Sequence, residues 1–86
     1  MKPENKEQLA KAIKTVGQGC FSEINGTVFG FDVTGSGVAI FDTREADDYR
    51  IERFPSAEKA IDGFKIGGKP LSGFIGNLEI TPCLSL

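Results

Sequence analysis

The chain is 86 residues long, with 40% hydrophobic residues and a formal net charge of −2. This length and composition predict one small globular domain and argue against a disordered chain or a multidomain protein. The slightly acidic balance argues against a dedicated nucleic-acid-binding protein, because such a protein carries a clustered basic surface.

The first predicted element is a helix over residues 5–16. Its apolar residues recur at the spacing of one helical face: Leu9, Ala12, Ile13 and Val16. Asn5 is a typical N-cap residue and has Gln8 three positions later, as in a capping box. Gly17 is well suited to end the helix, since glycine adopts the left-handed backbone conformation without strain.

Two tight turns predict a β-meander after this helix. Asn25-Gly26 is typical of a type I′ turn, and closing the first hairpin there opposes Phe21 to Gly30. Gly35-Ser36 is predicted to form a type II′ turn, which opposes Gly30 to Phe41. Both registers place the same apolar side chains on one face: Ile24, Phe29, Phe31, Val33, Val38 and Ile40. A one-residue slip would scatter these side chains, so their agreement supports both registers.

A further strand is predicted over residues 49–54, after a polar loop. Alternation along this strand directs Tyr49 and Ile51 toward the core and Arg50 and Glu52 toward solvent.

A short second helix is predicted to begin at Ser56, which is a good N-cap residue. Its apolar stripe consists of Ala57, Ala60, Ile61 and Phe64. The remainder predicts a strand near Leu78–Thr81, with a single helical turn as one interpretation of residues 71–76.

The predicted order is α-β-β-β-β-α-β, so the fold class is α+β. We expect an antiparallel meander of about four or five strands with an N-terminal helix and a short second helix. The helices are expected on the Phe29/Phe31 face, which makes the domain a two-layer sandwich.

Residues 54–71, FPSAEKAIDGFKIGGKPL, resemble a segment that recurs in small uncharacterised bacterial and phage-associated α+β proteins. In that segment a strand ends, a short helix begins at a serine, and FKIGGKPL follows. The resemblance covers about a fifth of the chain. It implies a bacterial or mobile-element setting and attaches no function.

The sequence lacks the usual groups of an active site. The chain has no histidine, so neither a Ser-His-Asp triad nor a Cys-His pair can form within it. Residues 63–70 approach the phosphate-loop pattern, but Pro70 replaces the magnesium-binding hydroxyl and the segment follows a predicted helix. Cys20 and Cys83 lack the C-x-x-C spacing of a zinc or redox site. We therefore expect no catalytic residue, no metal site and no cofactor.

The N-terminal residues, MKPENKEQ, contain no apolar core of a signal peptide, and no apolar run approaches a membrane helix. Two cysteines without a secretory signal are typical of thiols in a reducing compartment. We expect a cytoplasmic protein that does not associate with membranes.

Acidic residues are concentrated at and after the end of the third predicted strand: Asp42, Glu45, Asp47 and Asp48. Their spacing is not that of a calcium-binding loop and Arg44 lies among them, so a solvated hairpin tip is the simpler interpretation. If this loop has a function, we expect it to steer a basic surface of a protein partner.

The second face of the predicted sheet carries the main candidate for a binding surface. Both registers place Phe21 and Phe41 on either side of Gly30, with Val28 and Ala39 nearby. If both helices cover the first face, this row faces solvent, and exposed apolar patches usually mark an interface. If one helix covers each face, the row is internal and a phenylalanine over a strand glycine is a packing device.

Three functions follow as hypotheses. The leading one is a non-enzymatic protein-binding or self-associating module from a mobile genetic element, with the Phe21/Phe41 face as its contact surface. The first alternative is a nucleic-acid-associated regulator that contacts phosphates through the first helix, using Lys6, Lys11 and Lys14. The second alternative is a small-molecule or enzymatic role at a dimer cleft.

Overall fold

The computed structural model describes residues 2–43 and 51–82 and has the predicted α+β architecture. A five-stranded antiparallel sheet carries a layer of helices on one face. In chain order the elements are α1 (Lys6–Val16), β1 (Gln18–Phe21), β2 (Phe29–Thr34), β3 (Gly37–Asp42), β4 (Ile51–Phe54), α2 (Ala57–Gly63), β5 (Lys65–Ile66), β6 (Lys69–Pro70), a 3₁₀ helix (Leu71–Asn77) and β7 (Ile80–Pro82). Within the described ranges, no helix is long and apolar enough to cross a membrane.

The strand order in the main sheet is β4-β3-β2-β1-β7. Strands β1 to β4 form the predicted meander, and β7 returns to pair antiparallel with β1, where Cys20 opposes Thr81. The sequence predicted a last strand near Leu78–Thr81 but not its place in the sheet. By closing the β1 side, β7 joins the end of the described chain to its beginning.

Both helices begin at the predicted capping residues. The Oδ1 atom of Asn5 accepts the backbone N–H of Gln8 at 2.8 Å, and the Oγ atom of Ser56 accepts that of Lys59 at 3.1 Å. Each cap satisfies a backbone donor that the first helical turn leaves unpaired. Gly17 ends α1 as predicted and has a positive φ of 79°, although its ψ of −41° lies outside the left-handed helical region.

The core lies between the helices and the predicted apolar face of the sheet, as expected for a two-layer sandwich. Phe29, Phe31 and Ile40 are buried there. The Phe64 ring, just after α2, contacts Phe29 edge-on at a centroid distance of 5.1 Å. It also meets Phe54 at 6.5 Å. Aromatic side chains from the sheet and from the end of α2 therefore hold the two layers together.

The two predicted hairpin turns differ in how closely they match the structure. Asn25 and Gly26 have φ values of 51° and 85°, which confirms the predicted type I′ turn. The register across the second turn is also confirmed, since Gly30 opposes Phe41. Its predicted type II′ geometry is wrong, because the positive φ lies at Gly37, at 140°, rather than at Gly35. A side chain at Gly37 would collide with the carbonyl oxygen of Phe54 in β4.

The register of the first hairpin shifts by one residue between its turn and β1. Ile24 pairs with Thr27 as predicted, but Cys20 opposes Gly30, where the sequence predicted Phe21. The β1 side therefore carries one extra residue, as in a β-bulge. Since successive side chains of a strand point to opposite faces, this shift turns Phe21 to the helix side.

The extra residue is accommodated because Ser22 bonds toward β7. Its N–H donates to the carbonyl oxygen of Glu79 at 2.8 Å, and its Oγ accepts the Glu79 N–H at 3.0 Å. The same hydroxyl donates to the Asn77 carbonyl at 3.1 Å. Backbone groups that would otherwise lack partners at the bulge are satisfied by the segment leading into β7.

The predicted orientation of the fourth strand is wrong. Ile51 opposes Phe41 and is 40% exposed, whereas Phe54 packs against the core. Glu52 lies on the helix side, because it opposes a core residue of β3. The predicted orientations of Tyr49 and Arg50 fall on residues outside the described part of the chain.

Residues 63–70 are not a phosphate loop, because Gly63 ends α2 and residues 65–70 form a small hairpin. The strands β5 and β6 pair through Ile66 and Lys69, and the turn between them has positive φ at Gly67 and Gly68. This two-residue turn with both φ values positive is the geometry that a type I′ hairpin requires. The 3₁₀ helix that follows includes all of residues 71–76 and extends beyond the single predicted turn.

Gly19 in β1 is a position where we expect a methyl group to disrupt the sheet. A Cβ atom there would lie 2.5 Å from the Thr81 carbonyl oxygen and 3.1 Å from the Phe31 ring. Because one of these neighbours is backbone, Gly19→Ala should force β7 away from β1 and lower the unfolding free energy by about 1–3 kcal/mol. Urea denaturation measures this change.

Gly76→Ala is the matched control, since nothing lies within 4 Å of a Cβ at that exposed helical position. We expect it to leave stability unchanged or slightly raised. Equal stability of the two variants would contradict the close approach of β7 to Gly19.

Candidate functional site

The candidate site is the side of the main sheet opposite the helices, called here the outer face. Both helices lie against the other side, where α1 contacts β1, β2 and β7 and α2 contacts β3 and β4. The arrangement with both helices on one face is the condition under which the sequence predicted an exposed apolar row. Among residues 2–43 and 51–82, no helix covers the outer face.

Strand pairing aligns the outer-face residues in two neighbouring rows across the sheet. The apolar row consists of Cys20, Gly30, Phe41 and Ile51, which oppose one another in that order from β1 to β4. The second row, called the charged row, consists of Gln18, Asp32, Ala39 and Arg53. Because alternate residues of a strand share a face, both rows lie on the same side.

Phe41 lies across Gly30, as predicted. A Cβ atom at Gly30 would be 2.7 and 2.8 Å from two carbon atoms of the Phe41 ring, so a side chain at residue 30 would displace the ring from this position. The ring is half-buried against the strand next to it without any helix above it. The pair gives the outer face a fixed aromatic surface at its centre.

Two exposed aliphatic side chains extend this surface. Val28 is 37% exposed and Ile51 is 40% exposed, and they are the large hydrophobic residues with the greatest exposure in the described chain. Thr43 continues the β2–β3 ladder beside Val28, since its N–H and Oγ1 donate to the Val28 carbonyl at 3.1 and 2.7 Å. The backbone that carries this part of the patch is therefore ordered by hydrogen bonds.

Phe21 is not part of this surface, and the prediction that placed it there is wrong. It is only 2% exposed, and its ring centroid lies 4.9 Å from that of Phe31. The bulge between β1 and the turn directs it into the core.

Of the predicted acidic residues, Asp42 lies within the described part of the chain. Asp42 is 8% exposed and lies on the helix side, opposite Phe29, so its prediction as part of an accessible acidic surface is wrong. The reason is that Asp42 is two residues from the buried Ile40 in β3, and residues two apart in a strand lie on the same face. Glu45, Asp47 and Asp48 lie outside the described residues, and their proposed steering role stays a prediction.

In β4, sequence reasoning missed two outer-face residues, Ile51 and Arg53. The sequence of residues 51–54, IERF, fits two orientations of the strand. Either Glu52 and Phe54 or Ile51 and Arg53 can face the core. Choosing Phe54 rather than Ile51 as its core residue would have placed both on the outer face, since residues two apart share a side.

The predicted lysine face of α1 is neutralised by α2. Lys6 lies 3.0 Å from Asp62 and Lys14 lies 2.7 Å from Glu58, and all four side chains are exposed. The groove between the helices is lined by three lysines and three carboxylates: Lys6, Lys11, Lys14, Glu7, Glu58 and Asp62. This groove therefore lacks the net positive charge that phosphate contact requires.

The same ion pairs lower two carboxyl pKa values. The hydrogen bond from Lys14 is the main cause that lowers the pKa of Glu58, and its own backbone N–H adds to it. The hydrogen bond from Lys6 lowers the pKa of Asp62, with a smaller contribution from Ser72. Among the described residues, including those of this groove, no group of three or more potential metal ligands comes together.

Comparison of the chain with protein-family models, with curated proteins and with solved structures finds no match. The resemblance of residues 54–71 to bacterial and phage-associated proteins therefore stays a prediction.

The opposite roles of Phe21 and Ile51 can be measured. We expect Phe21→Ala to lower the unfolding free energy by about 3–5 kcal/mol, because it leaves a cavity beside Phe31. Ile51→Ala should change it by no more than about 1 kcal/mol, since that side chain is largely in solvent. Denaturant unfolding of both variants tests this, and a greater loss for Ile51→Ala would mean that the register of β1 or β4 is different.

The ion pairs between α1 and α2 predict a pH dependence of stability. The pKa values of Glu58 and Asp62 are lower in the folded chain, so their contribution is present above the ordinary carboxyl range. It is lost as the pH falls through the lowered values. The double variant Lys6→Gln/Lys14→Gln should therefore lose less stability than the parent protein between about pH 7 and about pH 3.

Urea midpoints measured across this range provide the comparison. Lys2→Gln/Lys11→Gln removes the same charge without touching either pair, so it should keep the parental slope. The same slope in all three proteins would show that the pairs do not affect stability.

Proposed function

We propose that this protein is a non-enzymatic protein-binding or self-associating module, and that its contact surface is the outer face of the sheet. The observation that carries the proposal is the placement of both helices on the opposite side. It leaves Val28, Phe41 and Ile51 without a covering helix in the described chain.

The physical chemistry of the outer face supports this role. Apolar side chains in contact with water gain free energy when a partner covers them, at roughly 25 cal/mol per Å² of buried apolar area. For this reason large contiguous apolar patches are rare on monomeric proteins, and the largest apolar patch of a protein is often a functional surface. Here the aromatic ring of Phe41 is held in place by Gly30, so little side-chain freedom is lost on binding.

The surroundings of the apolar row favour a protein as the partner. Arg53 is exposed and Asp32 is half-buried in the neighbouring row. A patch with an apolar centre, an aromatic anchor and charges of both signs at its margin resembles the composition of protein–protein interfaces. A bacterial or mobile-element setting remains part of the proposal, supported by the resemblance of residues 54–71.

The alternative nucleic-acid role has less support. Two of its three lysines, Lys6 and Lys14, each have a carboxylate within 3.0 Å. A nucleic acid would have to displace both pairs before it gained a phosphate contact. The outer face offers no cluster of basic residues in the described strands, since Arg53 is balanced by Asp32.

An outer-face charge provides the test. Val28→Asp and Ile51→Asp each place a carboxylate in the apolar patch. We expect each to weaken association by at least about tenfold, because the bound state would desolvate that charge. Association is measured by sedimentation velocity for self-assembly and by affinity capture from a bacterial lysate for other partners. Folding is checked by circular dichroism.

Asn77→Asp is the control, because it adds the same charge at an exposed position of the 3₁₀ helix on the other side of the sheet. It should leave association unchanged. If the parent protein neither self-associates nor captures a partner in a manner sensitive to Val28→Asp and Ile51→Asp, the proposed function is wrong.

A further inference from the structure

We infer that the occupant of the outer face is a second copy of this chain, packed face to face about a two-fold axis that runs along β3. This inference rests on the proposed function and adds the partner and its orientation. The feature that selects the orientation is the charged row, in which Asp32 and Arg53 lie on either side of Ala39.

The pairing of the strands fixes the spacing of these charges. Asp32 opposes Ala39 from β2, and Arg53 opposes Ala39 from β4. The two charged residues are therefore two strand spacings apart, or about 10 Å. The ion pairs between described residues join α1 to α2, and neither Asp32 nor Arg53 takes part in them.

A two-fold axis along β3 brings opposite charges together. Such an axis carries β2 of one copy over β4 of the other and keeps every residue at its own row. Asp32 of each copy then faces Arg53 of the second copy, so the arrangement forms two symmetry-related ion pairs. Ala39 faces Ala39 between them, which allows the sheets to approach to the usual separation of about 10 Å.

Other symmetric arrangements oppose like charges. An axis along β2 would place Asp32 over Asp32. An axis in the plane of the interface, perpendicular to the strands at this row, would oppose Asp32 to Asp32 and Arg53 to Arg53. Like charges placed opposite one another at an interface disfavour an assembly. Charge complementarity therefore favours the axis along β3.

The apolar row is compatible with the same axis. Phe41 of one copy faces Phe41 of the other at the axis, and Ile51 faces the Gly30 position. Gly30 has no side chain and is covered by the Phe41 ring, so Ile51 packs on an aromatic surface. Both large side chains of the row are covered by one packing arrangement.

Pairing through the β4 edge of the sheet is a less favourable way to form a dimer. In an antiparallel pair, directly opposed residues must lie on the same face. A β4–β4 ladder centred in this strand therefore opposes either Glu52 to Glu52 or Arg53 to Arg53. Directly opposed like charges destabilise a strand pair, so this edge discourages such a ladder.

The size of the outer face indicates a weak dimer. With the axis along β3, strands β2, β3 and β4 overlap, which gives an area of about 15 Å by about 20 Å. This is well below the area of about 800 Å² per partner that a standard interface buries. We therefore expect dissociation in the micromolar to millimolar range, which fixes the concentrations for the experiment.

Charge reversal tests the inference. Asp32→Lys makes both symmetry-related pairs repulsive, and so does Arg53→Glu. We expect each variant alone to dimerise at least about tenfold more weakly than the parent protein. An equimolar mixture of the two variants should form a heterodimer, since both facing pairs are again opposite in charge. The double variant Asp32→Lys/Arg53→Glu should also recover dimerisation.

Sedimentation equilibrium from about 10 µM to about 1 mM covers the expected range of dissociation constants. Lys11→Glu on α1 is the control, because it reverses a charge away from the outer face and should leave dimerisation unchanged. Recovery in the mixture excludes misfolding as the cause of the loss, because an unfolded variant cannot be rescued by its counterpart.

The possible results separate this inference from the proposed function. A parent protein that stays monomeric at the highest concentration overturns the inference. So does self-association that charge reversal leaves unchanged or that mixing fails to restore. If Ile51→Asp still abolishes the capture of a different protein, the outer face is a binding surface with another partner. If Ile51→Asp has no effect on any association, both the inference and the proposed function are wrong.

Discussion

The pairing of β2 with β3 is the constraint on which the other features depend. Once Gly30 opposes Phe41, the alternation of side chains assigns every residue of both strands to one face. The sheet side of the core then consists of Phe29, Phe31 and Ile40, and Phe41 points to the opposite face. The same alternation buries Asp42 at the end of β3. Core and outer face are thus two consequences of a single register.

The part of the fold that local chemistry determines could be predicted from the sequence. The capping residues Asn5 and Ser56, the turn at Asn25-Gly26 and the aromatic alternation of β2 each act over a few residues. Their preferences agree with the final structure, so the helices and the meander followed from them. The placement of both helices on the Phe29/Phe31 face stayed open, because helical periodicity does not say which face of a sheet a helix covers. In the candidate surface, the position of Phe41 over Gly30 was predicted in the same way, whereas Phe21 and Asp42 were wrongly placed there.

The remaining features depend on contacts distant in sequence. The bulge that turns Phe21 inward is accommodated by hydrogen bonds between Ser22 and Glu79. Because these residues are far apart in sequence, no local sequence pattern predicts the bulge. The orientation of β4 could not be fixed because both phases of its alternation contain one large apolar residue, Ile51 or Phe54. Packing in the core determines the orientation of β4, since the Phe54 ring packs near Phe64. Where local preference allowed two orientations of a strand, tertiary packing therefore determined which side chains face the core.

The return of β7 to β1 has a consequence for how the chain folds. Gly19 opposes Pro82, so this ladder closes a loop of about sixty residues, whereas the β2–β3 hairpin closes one of only a few. Contacts that close long loops form late, since most of the chain has to be ordered before they are rewarded. Until the last strand has been synthesised, β1 is held in the sheet only by its pairing with β2. The β1–β7 ladder is therefore expected to form after the β2–β3 hairpin.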